Sequence, residues 1–164
     1  MIIQPLFEPI RVSPLEMCRA LLADRGIPHS MLLEDNALEF VLSLAERERA
    51  CSLVADGPGR VVLDIALEAA LPPEQAQEFF AVLSRTGSCV TRDGGGEFYC
   101  NTPVFLPSDP ESAEEVLNNV IRHAEAHLGY SDIACEFAKQ GHSADWIIAK
   151  LELMSWGEAQ ARIQ

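Results

Sequence analysis

The spacing of apolar residues changes repeatedly along the chain, and each change marks a different kind of secondary structure. Leu15, Cys18 and Leu22 recur at helical spacing after Ser13, which suits an N-cap. A glycine and a proline follow this run, and together they end a helix. The pattern predicts a first helix over about residues 14 to 25.

Between Met31 and Leu71 the apolar residues alternate with polar ones, which is typical of strands with one buried face. ALEFVLSL and RVVLDIAL show this alternation, and RACSLVA between them is a third candidate strand. DGPG before the last strand consists of turn-forming residues. Because the links are short, the three strands are expected to be antiparallel.

The second half of the chain predicts four helices and a hairpin. LPPEQAQEFFAVLSRTG returns to helical spacing, and SCVTRD and EFYCNTPVFL then flank three glycines as two strands. A third helix is expected to end at Gly129, and SDIACEFAKQG and HSADWIIAKLELMSWG predict two more. The predicted fold class is α+β: helix, three antiparallel strands, helix, two-strand hairpin, helix, plus two C-terminal helices.

Composition adds limits on size and partners. The 164 residues show no convincing linker, so residues 1–164 are expected to form a single domain. The formal net charge of −13 would repel a phosphate backbone, so nucleic-acid binding is not expected. No apolar run approaches the roughly 18 residues that a membrane span needs, and the first residues lack a signal-peptide pattern. The protein is therefore expected in the cytoplasm, without membrane insertion.

The five cysteines argue against a disulfide framework or a zinc ribbon, because they are widely spaced and never form a C-x-x-C pair. Cys89 and Cys100 flank the glycine-rich hairpin and could face each other across it. Two buried thiols are expected there, with a metal site or a redox bridge as the alternatives.

The order of elements from Ser13 to Gly129 resembles the small fold of class I type III secretion chaperones (the Tir chaperone family) and of YbjN-type sensory transduction regulator proteins. DRGIP leading into LLEDN, LPPE at the start of the second helix, and the glycine-rich hairpin before TPVFLP carry the resemblance. The small size and acidity are also similar. The resemblance suggests a chaperone-like core over 13–129 and a C-terminal helical extension over 130–164.

The resemblance implies a homodimer that binds another polypeptide and performs no chemistry. The client would be an extended or partly unfolded segment, held by an open sheet edge or by apolar patches. The first alternative is a YbjN-like regulatory domain that binds a small ligand between sheet and helices. An enzyme or metal protein is the third possibility.

Apolar residues in the second helix and in the C-terminal tail are the candidates for a binding or dimer interface. Adjacent helical residues point about 100° apart, so one of the two neighbouring phenylalanines is expected in the core and the other at a partner surface. The tail helix is apolar around much of its circumference and needs cover from its own sheet, from a dimer partner, or from a client groove. The candidate set is Phe79, Phe80, Leu83, Val90, Trp146 and Trp156.

Two histidines also have a spacing that permits a metal site. His123 and His127 are four residues apart and share one helical face. Asp132 or Cys135 is a conceivable third ligand, but Ala124 stands where an H-E-x-x-H motif has its glutamate. The histidines are expected at a solvent-facing or helix-terminal position, and no metal, other cofactor or catalytic residue is predicted.

The remaining motifs have structural explanations. The three glycines at 94–96 are followed by a strand and lack the lysine of a phosphate loop, so they predict a hairpin turn. GHSAD lacks the G-x-S-x-G elbow, and Ser143 within it suits an N-cap. In AERERAC, Arg47 and Arg49 share one side of an extended chain. This segment is expected at a solvated strand start or loop, or the arginines could meet acidic groups of a partner.

Overall fold

A computed structural model describes residues 13–67, 71–86, 90–92 and 97–163, with the backbone alone at 90–92 and 156–163. The helices are α1 (Pro14–Asp24), α2 (Pro73–Arg85), α3 (Pro110–Lys139) and α4 (Ala144–Ile163). The strands are β1 (His29–Leu32), β2 (Ala37–Leu44), β3 (Arg47–Ala55), β4 (Arg60–Ala66), β5 (Val90–Arg92) and β6 (Phe98–Phe105).

The six strands form one sheet in the order β1-β2-β3-β4-β6-β5, and every neighbouring pair is antiparallel. The first four strands follow one another as a meander. The chain then passes through α2 before β5 and β6 return, and β6 pairs with β4. The α+β class predicted from the sequence is confirmed.

The helices pack on one side of the sheet. α1 contacts β1 to β4, α2 contacts β5, and α3 contacts β6, while α4 packs against α2 and α3. Alternate strand residues point into this layer and are fully buried: Leu38, Leu53, Val61, Leu63, Ile65, Phe98 and Val104. A single cluster of buried residues extends from Leu15 in α1 to Leu151 in α4.

Local capping confirms the helix start predicted at Ser13 and fixes the start of α3. The Ser13 side chain accepts a hydrogen bond from the backbone N–H of Glu16, as an N-cap of α1 should. At the start of α3 the Asp109 carboxylate accepts from the backbone N–H of Ser112 at 2.9 Å. That bond, together with the hydroxyl of the same serine, lowers the pKa of Asp109.

The structure differs from the sequence prediction in its C-terminal helices. α3 is one helix of 30 residues that passes through Gly129, where two helices were expected. The buried positions Leu117, Ala124, Leu128, Ser131, Cys135 and Ala138 continue at helical spacing across the glycine. Packing of this continuous stripe outweighs the local preference for a stop, and the expected boundary between 129 and 130 lies inside the helix.

A second difference is the additional strand β1, which pairs with the first half of β2. It has only four residues, too few for its alternation to be recognised against the neighbouring loops. The glycine triplet and Cys89 lie outside the described residues. The backbone register places Val90 opposite Cys100. No helix in the described part of the chain is long and apolar enough to cross a membrane.

Candidate functional site

The structure divides the predicted interface residues between core and surface. Phe79 and Leu83 are buried, and the Phe79 ring meets Phe98 edge-to-face with centroids 5.1 Å apart. Phe79 thus fulfils the expectation that one of the two neighbouring phenylalanines lies in the core, and neither Phe79 nor Leu83 is exposed enough here for the role of a partner contact. Within α2 that role is left to Phe80, whose side chain is 43% exposed.

Trp146 is exposed to 40% and lies at the junction of α3 and α4. Its ring stacks on His142 at 3.6 Å and meets Phe137 edge-to-face at 5.1 Å. Phe80 instead lies beside Phe98 of β6, with ring centroids 6.5 Å apart. The predicted set therefore does not form one patch, and the side chains of Val90 and Trp156 lie outside the described residues.

The sheet face opposite the helices is not covered by any described helix. We call it the open face. Its central row is polar and crosses five strands, since cross-strand partners connect Ser30, Glu39, Ser52, Asp64 and Asn101.

Apolar rows lie on both sides of the polar row. One contains Leu32, Ala37, Val54, Val62 and Pro103 as successive cross-strand partners. The other contains Val41 opposite Ala50, and Ala66 opposite Tyr99. Neighbouring rows are two residues apart along each strand, or about 6.8 Å. The open face therefore carries an apolar, polar, apolar pattern, in which the small side chains of Ala37 and Ala66 are themselves buried.

The open face is also acidic. A depression of about 770 Å³ on it is lined by four carboxylates, those of Glu39, Glu48, Asp64 and Glu97. His29 is the only basic side chain that lines this depression within the described residues. Such a surface attracts cationic groups and repels anionic ones.

Asp64 is the most enclosed of these carboxylates. Burial raises its pKa, and hydrogen bonds from the side chains of Asn101 and Ser52 partly oppose that rise. The Asn101 Oδ1 atom is buried, and it has no hydrogen-bond partner among the described residues. A half-buried carboxylate with no cation beside it is destabilising for the folded chain. A cationic group brought by a ligand would relieve that effect.

The edges of the sheet are less suited to binding than its face. β1 has four residues and β5 has three, so each edge strand offers few backbone groups. Such short edges are a common protection against strand addition. β6 extends beyond β5, but Pro103 in that part has no N–H to donate.

A second concavity lies between α2, α3 and α4 and has a volume of about 380 Å³. Its wall is mainly apolar and includes Leu83, Ala134, Ile148 and Leu151. Polar side chains at its rim are Arg85, His127, Tyr130 and Glu152. We call this concavity the helix cleft. It has the size and lining of a small-ligand pocket.

The arginines of AERERAC differ in their surroundings. Arg49 is 2% exposed, and its guanidinium donates to Asp132 on α3 at 2.5 Å and to the Leu44 carbonyl at 3.2 Å. Arg47 is exposed. The acidic group expected opposite an arginine thus belongs to the same chain, and this ion pair joins β3 to α3.

The three polar side chains of GHSAD have partners outside the motif. Ser143 Oγ accepts from the backbone N–H of Trp146, Asp145 pairs with Arg85, and His142 stacks on Trp146. Ser143 is therefore an N-cap of α4, as predicted. These three side chains form no catalytic triad.

The buried thiols have the properties expected of core residues. Burial raises the pKa of Cys18 and of Cys51 to about 11, and it also raises the pKa of Cys135. These three cysteines are free of disulfides. Because a thiolate is the reactive form, all three are poor nucleophiles at neutral pH.

Metal-binding side chains do not gather in larger groups. Within the described ranges, no three His, Cys, Asp or Glu side chains converge in a way that could hold a metal ion. His123 and His127 do converge as a pair on α3. Asp132, considered from the sequence as a third ligand, is instead paired with Arg49, and Cys135 is buried.

Comparison with known proteins adds no relative. No protein-family model matches the chain, and neither the curated proteins nor the solved structures contain a match. Function must therefore be argued from the open face and the helix cleft themselves.

Proposed function

We propose that this protein is a non-catalytic, cytoplasmic protein-binding module that acts as a homodimer and holds an extended or partly unfolded client segment on its open face. The observation that carries the proposal is the uncovered sheet face with its two apolar rows and its acidic centre. The resemblance to secretion chaperones, drawn from the order of elements, supports the same function.

The pattern of the open face defines the client. Apolar side chains of a bound segment would pack on Val41 and Val54, in the two outer rows, and gain affinity by removing apolar area from water. Lysine or arginine side chains of the same segment would meet Glu39 and Asp64 in the central row. The preferred client is therefore a segment that combines basic and apolar residues.

The charge of the whole chain supports this choice of client. A net charge of −13 accelerates the approach of a basic segment and slows that of acidic proteins. It also keeps the protein soluble when apolar client residues are only partly covered. Dimer formation is proposed to use Phe80, an exposed aromatic side chain on α2.

Capture of polypeptides from a lysate of the source organism tests the proposal. The wild type and two matched variants serve as the immobilised baits. Val41→Lys adds a positive charge to the open face at a side chain that is 55% exposed. Leu153→Lys makes a similar change on α4, at a side chain that is 70% exposed. The wild type and Leu153→Lys should retain the same polypeptides, and Val41→Lys should lose them.

Equal retention by all three baits would show that the open face does not bind clients. Sedimentation velocity of the same three proteins measures the oligomeric state, and the proposal predicts a dimer. A monomer at every concentration tested would contradict the proposed homodimer.

The helix cleft supports a second candidate, a regulatory domain that binds a small apolar ligand. Its volume and apolar wall are the specific observation in favour. Thermal unfolding in the presence of a metabolite library distinguishes the two functions. A ligand that stabilises the protein and loses its effect in Leu151→Trp, which fills the cleft, would favour the regulator.

A further inference from the structure

Two imidazole rings converge on the exposed side of α3. The Nε2 atoms of His123 and His127 are 3.1 Å apart, and the ring planes are inclined by 75° with centroids 4.6 Å apart. One turn of helix places the two side chains side by side. Both reactive nitrogens therefore point to the same region of space.

This separation fits a metal chelate. Zinc binds imidazole nitrogen at about 2.0–2.1 Å. Two nitrogens at this distance from one ion and 3.1 Å from each other enclose an angle of about 100° at the metal. That angle lies between the octahedral and tetrahedral values.

Without a metal the same geometry requires a hydrogen bond between the rings. One imidazole must then carry its proton on Nε2 and the other on Nδ1, since only one of the two facing nitrogens can donate. Both tautomers are then fixed, and only one exposed hydrogen bond is formed in return. A metal ion would satisfy both nitrogens at once.

Two acidic side chains near the histidine pair have other partners. Glu125 accepts from the backbone N–H of Ala45, and Asp132 pairs with Arg49. The Ser131 hydroxyl donates to the carbonyl of His127. Within the described residues no third His, Cys, Asp or Glu side chain joins the two histidines, so water would occupy the remaining coordination positions.

We propose that His123 and His127 bind one divalent ion of the zinc, copper and nickel class. Imidazole nitrogen favours these ions over the hard cations Mg²⁺ and Ca²⁺, which prefer oxygen. His127 also lies at the rim of the helix cleft. The ion would cross-link one turn of α3 and carry exchangeable water next to a residue that lines the helix cleft.

Isothermal titration of ZnCl₂ into chelator-treated, tag-free protein tests this site. The chain has four histidines, so a matched control is available. The site variant is His123→Ala with His127→Ala, and the control is His29→Ala with His142→Ala. Each removes two imidazoles and leaves the formal charge unchanged. Alanine is the best helix former, and circular dichroism confirms that the site variant remains folded.

Wild type and control should bind one Zn²⁺ per chain with similar affinity. Each single variant, His123→Ala or His127→Ala, should weaken binding by about tenfold or more, because the second ligand of a chelate acts at high effective concentration. The double variant should lose the site. MgCl₂ should give no matching signal in the wild type.

Three outcomes would overturn the proposal. Unchanged Zn²⁺ binding in the double site variant would assign the ion to other groups, such as thiols. Equal losses in the site variant and the control would indicate a general effect of histidine removal. Equal affinity for Mg²⁺ would identify the interaction as unspecific attraction to an acidic protein.

Discussion

Asp64 lies half-buried in the middle of the open face, and its surroundings connect stability with binding. Burial favours the neutral form of its carboxyl group and raises its pKa. Asn101 donates to it, but the Oδ1 atom of the same asparagine has no partner in the described part of the chain. The site is therefore incompletely satisfied in the isolated chain.

Asp64→Asn should stabilise the protein by about 0.5–1 kcal/mol at neutral pH. The amide removes the partly desolvated charge, and its N–H can donate to Asn101 Oδ1. Urea unfolding at pH 7 measures this gain. The same variant should bind a basic client more weakly, so stability and affinity should change in opposite directions. A destabilised variant would show that the charge supports the fold.

The pH dependence has a definite sign. The folded-state pKa of Asp64 lies above its ordinary value, so the folded chain binds this proton more tightly than the unfolded chain. Asp64 therefore lowers stability as pH rises through its titration range. The advantage of Asp64→Asn should disappear in acid, where the carboxyl is protonated in both states. An advantage that is independent of pH would rule out desolvation as its cause.

Sequence alone could not predict the surroundings of Asp64 or of Arg49. Asp64 is one polar position in an alternating strand, and nothing local shows that Asn101, which comes 37 residues later, lies opposite. Arg49 was recognised as part of a charged run, but its burial depends on Asp132, which comes 83 residues later. Both environments are produced by contacts that are distant in sequence.

At the level of elements, α3 shows how packing overrides a local signal. Gly129 is helical, and its backbone is not among the positive-φ positions. The stop expected there occurs instead at Gly141, where φ is +87° and the N–H bonds to the Ala138 carbonyl. Glycine is tolerated inside a helix and is favoured at a C-terminal cap, so sequence could not separate the two.

Gly129→Ala should therefore stabilise the protein by about 0.5–1 kcal/mol. An added Cβ would meet no atom within 4 Å. Gly141→Ala is the matched control, since its Cβ would also be free of contacts but its φ is left-handed. That control should destabilise the protein by about 1 kcal/mol or more. Thermal unfolding of both variants measures these changes in stability. A destabilising effect of Gly129→Ala would contradict a continuous α3.

The sequence also did not predict the backbone conformation of the turn between β2 and β3. Ala45 and Glu46 both have positive φ, at 50° and 64°, in a turn that usually contains asparagine and glycine. Glu125 on α3 accepts from the backbone N–H of Ala45 at 3.0 Å. The Leu44 carbonyl accepts from Arg49. Side chains from outside the turn thus stabilise a conformation that its own residues do not favour.

For the whole molecule, the sequence predicted the class and nearly the whole order of elements, but not which sheet face is uncovered. Alternation shows that each strand has two faces, and helical stripes show that helices must pack somewhere. Only the assembled sheet shows that one set of alternate positions meets α1 to α3 and that the other forms the open face. The binding surface is therefore a property of the assembly.

Fluorescence titration with two synthetic peptides of equal length tests the open face most directly. One peptide alternates valine with lysine, and the other alternates valine with glutamate. The wild type should bind the lysine peptide, more weakly as salt increases, and should not bind the glutamate peptide. Val41→Lys should weaken binding of the lysine peptide by about tenfold or more, because like charges then meet. Leu153→Lys, which lies on α4, should bind this peptide with an affinity close to that of the wild type. Equal binding of both peptides, or equal effects of both variants, would contradict a client site on the open face.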